Sequence, residues 1–168
     1  MLVSNKVLYL LCGKIAAGKS TFAAGLASRP ATVLIVEDHW NARLFPDELK
    51  TLDDYLRCSR RLRGAMGPHV AALLREGLSV VLDFPANTRA QRCWMRGIID
   101  EADAAHELHF FDISDETCKR RLRVRNSAGE HAFKTSAADY DLFASYFERP
   151  TPEEGFNIVV HREDSGQR

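Results

Sequence analysis

The sequence has no excess of charge of either sign and no long apolar run, and both absences narrow its class. Lys plus Arg and Asp plus Glu number 23 each, so no overall positive field favours nonspecific binding to nucleic acid. No apolar stretch approaches the roughly 20 residues that a membrane-spanning helix needs. Apolar residues make up 45% of the chain and charged residues 27%, as in ordinary globular proteins. We therefore expect a soluble protein with no membrane partner.

Cysteine is scarce and shows no recognisable pairing. Cys12, Cys58, Cys93 and Cys118 are far apart, without the spacing of zinc sites or CxxC redox motifs. We interpret them as reduced thiols, which indicates a cytoplasmic protein. The six histidines lack HxxxH spacing or a matching carboxylate set, so we assign no metal site to them. Residues 1–11 lack a small-residue cleavage site, and we predict a first strand there instead of a signal peptide.

Short apolar runs rich in β-branched residues alternate with longer segments of helical patterning. The runs predict strands at residues 7–12, 32–36, 79–82, 106–111 and 156–160. The segments between them predict helices at residues 19–28, a pair within 46–76, and single helices at 88–104, 115–126 and 137–147. Strands that alternate with helices favour right-handed crossovers and a mostly parallel sheet covered on both faces. At 168 residues the chain is expected to be one α/β domain.

A phosphate-binding loop is predicted at residues 13–20, which fit the pattern GxxxxGK[ST] after an apolar strand and before an alanine-rich helix. Glycines let the backbone curl so that successive N–H groups point at phosphate oxygens, and the helix N-terminus adds partial positive charge. Lys19 is expected to neutralise the β- and γ-phosphates of ATP, and the Ser20 hydroxyl to take one Mg²⁺ position. The predicted nucleotide-binding residues are Gly13, Lys14, Ile15, Ala16, Ala17, Gly18, Lys19, Ser20 and Thr21.

Acidic residues follow the second and third predicted strands, at the edge where open α/β sheets bind ligands. Asp38 is the candidate base, because a carboxylate there can accept the proton of a substrate hydroxyl and orient the attacking oxygen. Glu37 competes for that role, since only one of two adjacent strand residues normally faces the site. Asp83 ends the third strand and is predicted to hold Mg²⁺ through water. Each carboxylate also has a purely structural explanation, as a helix cap or the polar end of a buried strand.

A basic cluster lies on and just beyond the helix after the fourth strand. Arg121 and Arg125 are one turn apart and share a face. Guanidinium groups there would clamp the transferring phosphate from the side opposite the phosphate-binding loop, and we predict a lid over residues 119–134. A solvated basic face and a patch for nucleic-acid phosphates are the alternatives. Residues 46–77 predict a helical cap over the substrate.

In combination these segments resemble a known group of enzymes. The resemblance is carried by the loop 13–20, Asp38, LDFPANT at 82–88, the two arginines and EEGFNIVV at 153–160. They are similar to the small P-loop kinases grouped with the zeta toxins, chloramphenicol phosphotransferase and the 5′-kinase domain of polynucleotide kinases, whose bacterial members are often labelled AAA-type ATPases. The resemblance implies a five-stranded sheet of order 2-3-1-4-5, Asp38 as base, lid arginines at Arg121 and Arg125, and adenine near residues 150–156.

The combined features predict an ATP-dependent kinase that transfers the γ-phosphate to a hydroxyl of a small-molecule acceptor. The predicted catalytic residues are Lys19, Asp38, Arg121 and Arg125, and the predicted Mg²⁺ ligands are Ser20 and Asp83. One alternative is a nucleic-acid 5′-hydroxyl kinase, which the arginine cluster favours and the balanced charge disfavours. Others are a toxin acting on a nucleotide sugar and an ATP-hydrolysing switch that acts on a partner protein. The sequence identifies neither the acceptor nor the oligomeric state.

Overall fold

The computed structural model describes residues 6–129 and 135–163, and its sheet has the predicted order. Five parallel strands lie in the order β2-β3-β1-β4-β5. The strands are β1 (Val7–Cys12), β2 (Thr32–Val36), β3 (Ser79–Pro85), β4 (Ala105–Asp112) and β5 (Ile158–Arg162). The helices are α1 (Lys19–Ala27), α2 (Glu37–Leu44), α3 (Leu52–Arg75), α4 (Arg89–Ala102), α5 (Asp115–Ala128) and α6 (Ala137–Ser145). The predicted α/β class is confirmed.

The central strand β1 is buried on both sides, which explains its unbroken apolar sequence. Because side chains alternate along a strand, Leu8, Leu10 and Cys12 join one hydrophobic cluster, with residues of α3 and α4. Tyr9 and Leu11 join a second cluster, with residues of α1, α5 and α6. The sheet therefore has a helical layer on each face, as parallel sheets require.

Helix α2 was not predicted. It begins at Glu37, directly after the last residue of β2. Acidic Glu37 and Asp38 occupy its first turn and Arg43 its last, an arrangement that suits the helix dipole. Only two of its eight residues, Glu37 and Asn41, are buried, so the apolar periodicity that reveals a helix is missing.

The predicted helix pair within residues 46–76 is wrong, because a single helix, α3, spans 24 residues of this segment. A capping box formed by Thr51 and Asp54 opens it. Pro68 lies inside the helix, where proline ordinarily costs about 3 kcal/mol. Gly67 lets α4 approach closely, since a Cβ atom there would lie 3.3 Å from Trp94 Nε1. Packing of α3 against α4 offsets the helix-breaking tendency of Gly67 and Pro68.

The remaining predictions differ from the structure mainly at element ends. Between α6 and β5, residues Pro152–Glu154 form a short 3₁₀ helix. Residues 130–134 of the predicted lid lie outside the described residues, whereas 119–128 belong to α5. Among residues 6–129 and 135–163, no helix combines the length and apolar character needed to cross a membrane.

Candidate active site

A cleft of about 1350 Å³ opens at the carboxyl edge of the sheet. Its lining comes from the predicted phosphate-binding loop, α5, the start of α2, α3 and α6. Eight of the nine predicted nucleotide-binding residues line the cleft, namely Lys14, Ile15, Ala16, Ala17, Gly18, Lys19, Ser20 and Thr21. The cleft is therefore the place where the candidate site residues meet.

The loop has the backbone that a phosphate cradle requires. Gly18 has φ 104° and caps α1, a conformation that disfavours any residue with a Cβ atom. Gly13 is buried, and a Cβ atom there would lie 2.9 Å from the Cβ of Phe111. The Gly13 N–H donates to Asn87 Oδ1 at 2.8 Å. Glycine is therefore required at both positions, at Gly18 by the backbone conformation and at Gly13 by the lack of space for a side chain.

The Lys19 ammonium is held inside the loop. Its Nζ donates to the carbonyl oxygens of Gly13 and Lys14, the latter at 2.7 Å. Burial lowers the pKa of Lys19 to about 8, while the nearby Asp83 carboxylate acts in the opposite direction. The loop therefore carries a cation whose charge is only partly compensated and which a phosphate group would stabilise.

Ser20 and Asp83 meet in the cleft although 63 positions separate them. The Ser20 Oγ donates to Asp83 Oδ2 at 3.0 Å. Burial raises the pKa of Asp83, against the lowering effects of the Ser20 hydrogen bond and of Lys19. Mg²⁺ prefers oxygen ligands and usually takes only one or two from the protein side. The Ser20 and Asp83 oxygens fit that ion.

Glu37 and Asp38 have different surroundings. Glu37 is only 2% exposed, and its carboxylate accepts hydrogen bonds from Tyr55 Oη at 2.7 Å and from Arg63 Nη2 at 3.4 Å. Burial raises the pKa of Glu37. Asp38 is exposed and lines the cleft, and within the described part of the chain no hydrogen-bond donor contacts its carboxylate. This difference favours Asp38 over Glu37 as base, a role that stays a prediction.

Arg121 and Arg125 both line the cleft from α5. Arg121 Nη1 donates to the carbonyl oxygen of Ala17 in the loop at 3.2 Å. The Nε atom of Arg125 is buried and lacks a hydrogen-bond partner among the described residues, and its charge contributes to lowering the pKa of Lys19. The predicted pair thus lies beside the loop in the same cleft, and its action on a phosphate stays a prediction.

The structure does not place residues 150–156 beside the nucleotide loop. None of these residues, all of which the structure describes, lines the cleft. Buried Arg92 holds the segment on α4 through a two-point ion pair with Glu154, at 2.7 and 3.0 Å. Because β5 runs parallel to its neighbours, the chain must reach the amino edge of the sheet before β5 begins. Ile113, His161 and Arg162 line the cleft instead.

The sequence did not indicate several contacts that position the site. Tyr55 and Arg63 bind Glu37 from α3, and Asn87 binds the loop. Asp115 Oδ1 accepts from both Lys14 Nζ and Tyr140 Oη, each at 2.7 Å. Only Asn87 had a sequence signal, and it was weak. Asn87 directly precedes a helix that Thr88 caps, and a polar residue at such a position is common without any role in a site. Long-range pairs of this kind leave no local pattern.

The chain matches a known family over most of its length. A family model for the AAA domain matches residues 8–150. No curated protein shows significant sequence similarity to the chain.

Solved structures share the fold at low sequence identity. The APS kinase CysC of Mycobacterium tuberculosis, in complex with AMPPNP and APS, has a TM-score of 0.62 at 22% identity, with 96% of this chain and 91% of that chain covered. Chaetomium thermophilum Kti12, in complex with ADP-AlF3, has a TM-score of 0.69 at 14% identity, with 95% and 91% covered. A gluconokinase from Sinorhizobium meliloti 1021 has a TM-score of 0.61 at 16% identity, with 95% and 83% covered. The chain thus has the fold of P-loop kinases.

Proposed function

This chain belongs to the AAA-domain family, and from that premise we propose that it is a kinase that transfers the γ-phosphate of ATP to a hydroxyl of a small molecule. The observation that carries the proposal is the meeting of three features in one cleft. These are the phosphate-binding loop with Lys19, the oxygen pair of Ser20 and Asp83, and the carboxylate of Asp38, which no hydrogen-bond donor among the described residues contacts. A nucleotide-binding loop alone supports hydrolysis or transfer, whereas a carboxylate in the same cleft that can act as a base supports transfer.

Each residue has a separate task in this proposal. Lys19 moves its ammonium from two loop carbonyl oxygens to the β- and γ-phosphates. Asp38 accepts the proton of the acceptor hydroxyl, whose oxygen then bonds to the γ-phosphorus as the bond to the β–γ bridging oxygen breaks. Arg121 and Arg125 balance the charge on the transferred group. Mg²⁺, held by Ser20 and by Asp83 through water, would neutralise charge on the phosphates.

The first test follows the γ-phosphate of labelled ATP across small hydroxyl compounds, nucleosides, nucleotide sugars and 5′-hydroxyl oligonucleotides. Asp38→Asn should lower transfer by about 10²–10⁴-fold, because it removes the base, and should leave ATP affinity within about twofold. Asp53→Asn is the matched control, because Asp53 is an exposed aspartate in the first turn of α3, as Asp38 is in α2. Transfer at the full rate by Asp38→Asn would exclude Asp38 as base.

The alternatives give different results in the same experiment. A nucleic-acid 5′-kinase would label the oligonucleotide and would lose activity steeply with salt. A nucleotide-dependent switch would release free phosphate at a slow rate that no acceptor changes.

The free state of all four cysteines, three of them buried, supports a cytoplasmic location.

A further inference from the structure

The half of the cleft that contains Asp38 carries several exposed apolar side chains. We define it as the start of α2, residues 49–56 and residues 137–146. Four large hydrophobic side chains that are exposed on the protein belong to this half: Leu56, Leu142, Phe143 and Tyr146. Leu56 lies on α3, Phe143 on α6, and the rings of Tyr55 and Phe143 meet edge to face with centroids 6.4 Å apart. Apolar side chains exposed together on facing walls mark a binding surface.

The apolar walls lead directly to the candidate base. Tyr55, whose ring contacts Phe143, donates its hydroxyl proton to Glu37 at 2.7 Å. Glu37 adjoins Asp38 in the first turn of α2. Asp38, Tyr55 and Phe143 line the same cleft, so a molecule that packs its body beside the two rings can extend a hydroxyl towards Asp38.

Charge in this half disfavours an anionic acceptor. Among the described residues that line it or border it, the cations are Lys50 and Arg63, and the carboxylates are Glu37, Asp38 and Asp139. Arg63 is already paired with Glu37 at 3.4 Å, and Lys50 is exposed at the entrance. Two cations against three carboxylates leave no surplus positive charge, whereas binding an anion requires one. Among the described residues, the cations that line the cleft without an ion pair include Lys19 in the loop and Arg121 and Arg125 on α5.

We propose that the acceptor is an uncharged alcohol carried on an aromatic or branched apolar body that binds between α3 and α6. This inference rests on the proposed kinase function and narrows its substrate class. The acceptor hydroxyl gives its proton to Asp38 and forms the new oxygen–phosphorus bond, while the β–γ bridging oxygen leaves with ADP. The products are a phosphate monoester and ADP.

Matched acceptors test the proposal through transfer of labelled phosphate. 3-Phenyl-1-propanol and 4-(3-hydroxypropyl)benzoic acid share the same hydroxyl arm and ring and differ by one carboxylate. We expect kcat/KM to be at least tenfold higher for the uncharged compound. A preference for the carboxylate, for gluconate or for a 5′-hydroxyl oligonucleotide would overturn the acceptor class and leave the kinase function intact. Free phosphate as the only product, unaffected by Asp38→Asn, would instead count against the kinase function.

A binding measurement that does not depend on catalysis tests whether this half of the cleft binds apolar molecules. Nile red, an uncharged apolar dye, should bind saturably in the presence of Mg²⁺ and AMPPNP. Leu56→Lys should weaken its binding at least fivefold, because the ammonium enters the apolar wall. Leu44→Lys is the control, since Leu44 is 52% exposed and Leu56 51% exposed, yet Leu44 does not line the cleft. Equal effects of the two changes, or no saturable binding to the unchanged protein, would overturn the proposal.

Discussion

Lys19 illustrates how one buried charge is tuned by its surroundings. Its ammonium donates to two loop carbonyl oxygens, yet burial lowers its pKa to about 8. Phosphates would raise that pKa, because negative charge nearby favours the ammonium form. Nucleotide binding must then take up a proton at any pH between the two pKa values.

ATP affinity should therefore fall as pH rises. Below pH 8 Lys19 is already charged, so the dissociation constant should change little from this cause. Above pH 8 the constant should increase by up to about tenfold per pH unit until the pKa of the bound state is reached. Titration calorimetry from pH 6.5 to 9.5 measures this trend. Lys19→Arg keeps its charge throughout this range and should show a flat profile, and a flat profile in the unchanged protein would contradict the expectation.

At the scale of elements, one carboxylate joins three parts of the site. Asp115 in the first turn of α5 binds Lys14 of the phosphate-binding loop and Tyr140 of α6. The Lys14 and Tyr140 hydrogen bonds lower the pKa of Asp115, which keeps it charged as an acceptor. The position of α6, which carries Phe143, is thereby tied to the loop.

Tyr140→Phe should loosen this connection while keeping the buried ring. Loss of the hydroxyl should lower the free energy of unfolding by about 0.5–1.5 kcal/mol, measured by urea denaturation. It should also raise the acceptor KM more than the ATP KM, since α6 forms part of the proposed acceptor side. Asp141→Asn removes an exposed ion pair of α6 with Lys119 and should change stability by less than about 1 kcal/mol. Equal changes in both KM values would argue against a role specific to α6.

At the scale of the whole molecule, Arg92 connects segments that are distant along the chain. It is completely buried, and it donates to the carbonyl oxygens of Ala86 and Glu148 at 3.0 and 2.8 Å as well as to Glu154. These contacts attach the chain between α6 and β5 to α4 and to the end of β3. The edge strand β5 therefore depends on a polar anchor as well as on its ladder with β4.

Arg92→Met should lower the free energy of unfolding by about 3–5 kcal/mol, because it leaves the partner carboxylate without its cation and removes a hydrogen bond from two carbonyl oxygens. Adding Glu154→Gln should recover part of this loss, since the uncompensated charge disappears. Urea denaturation of the two single variants and the double variant measures the coupling. A loss below about 1 kcal/mol in Arg92→Met would show that the ion pair is not an anchor.

Contiguous patterns in the sequence determined the α/β class, the approximate positions of the strands, and the loop at residues 13–20. Strand periodicity and a phosphate-binding loop are local properties, so they can be read from neighbouring residues. Helix α2 could not be predicted in this way because few of its residues are buried. The single helix α3 could not be predicted either, because long-range packing overrides the helix-breaking tendency of Gly64, Gly67 and Pro68. Only the tertiary structure distinguished Glu37 from Asp38, because the distinction depends on Tyr55 and Arg63, 18 and 26 positions away from Glu37. Likewise, it alone joined Gly13 to Asn87 and Lys14 to Asp115, 74 and 101 positions apart, since such pairs exist only once the parallel strands bring their carboxyl ends to one edge.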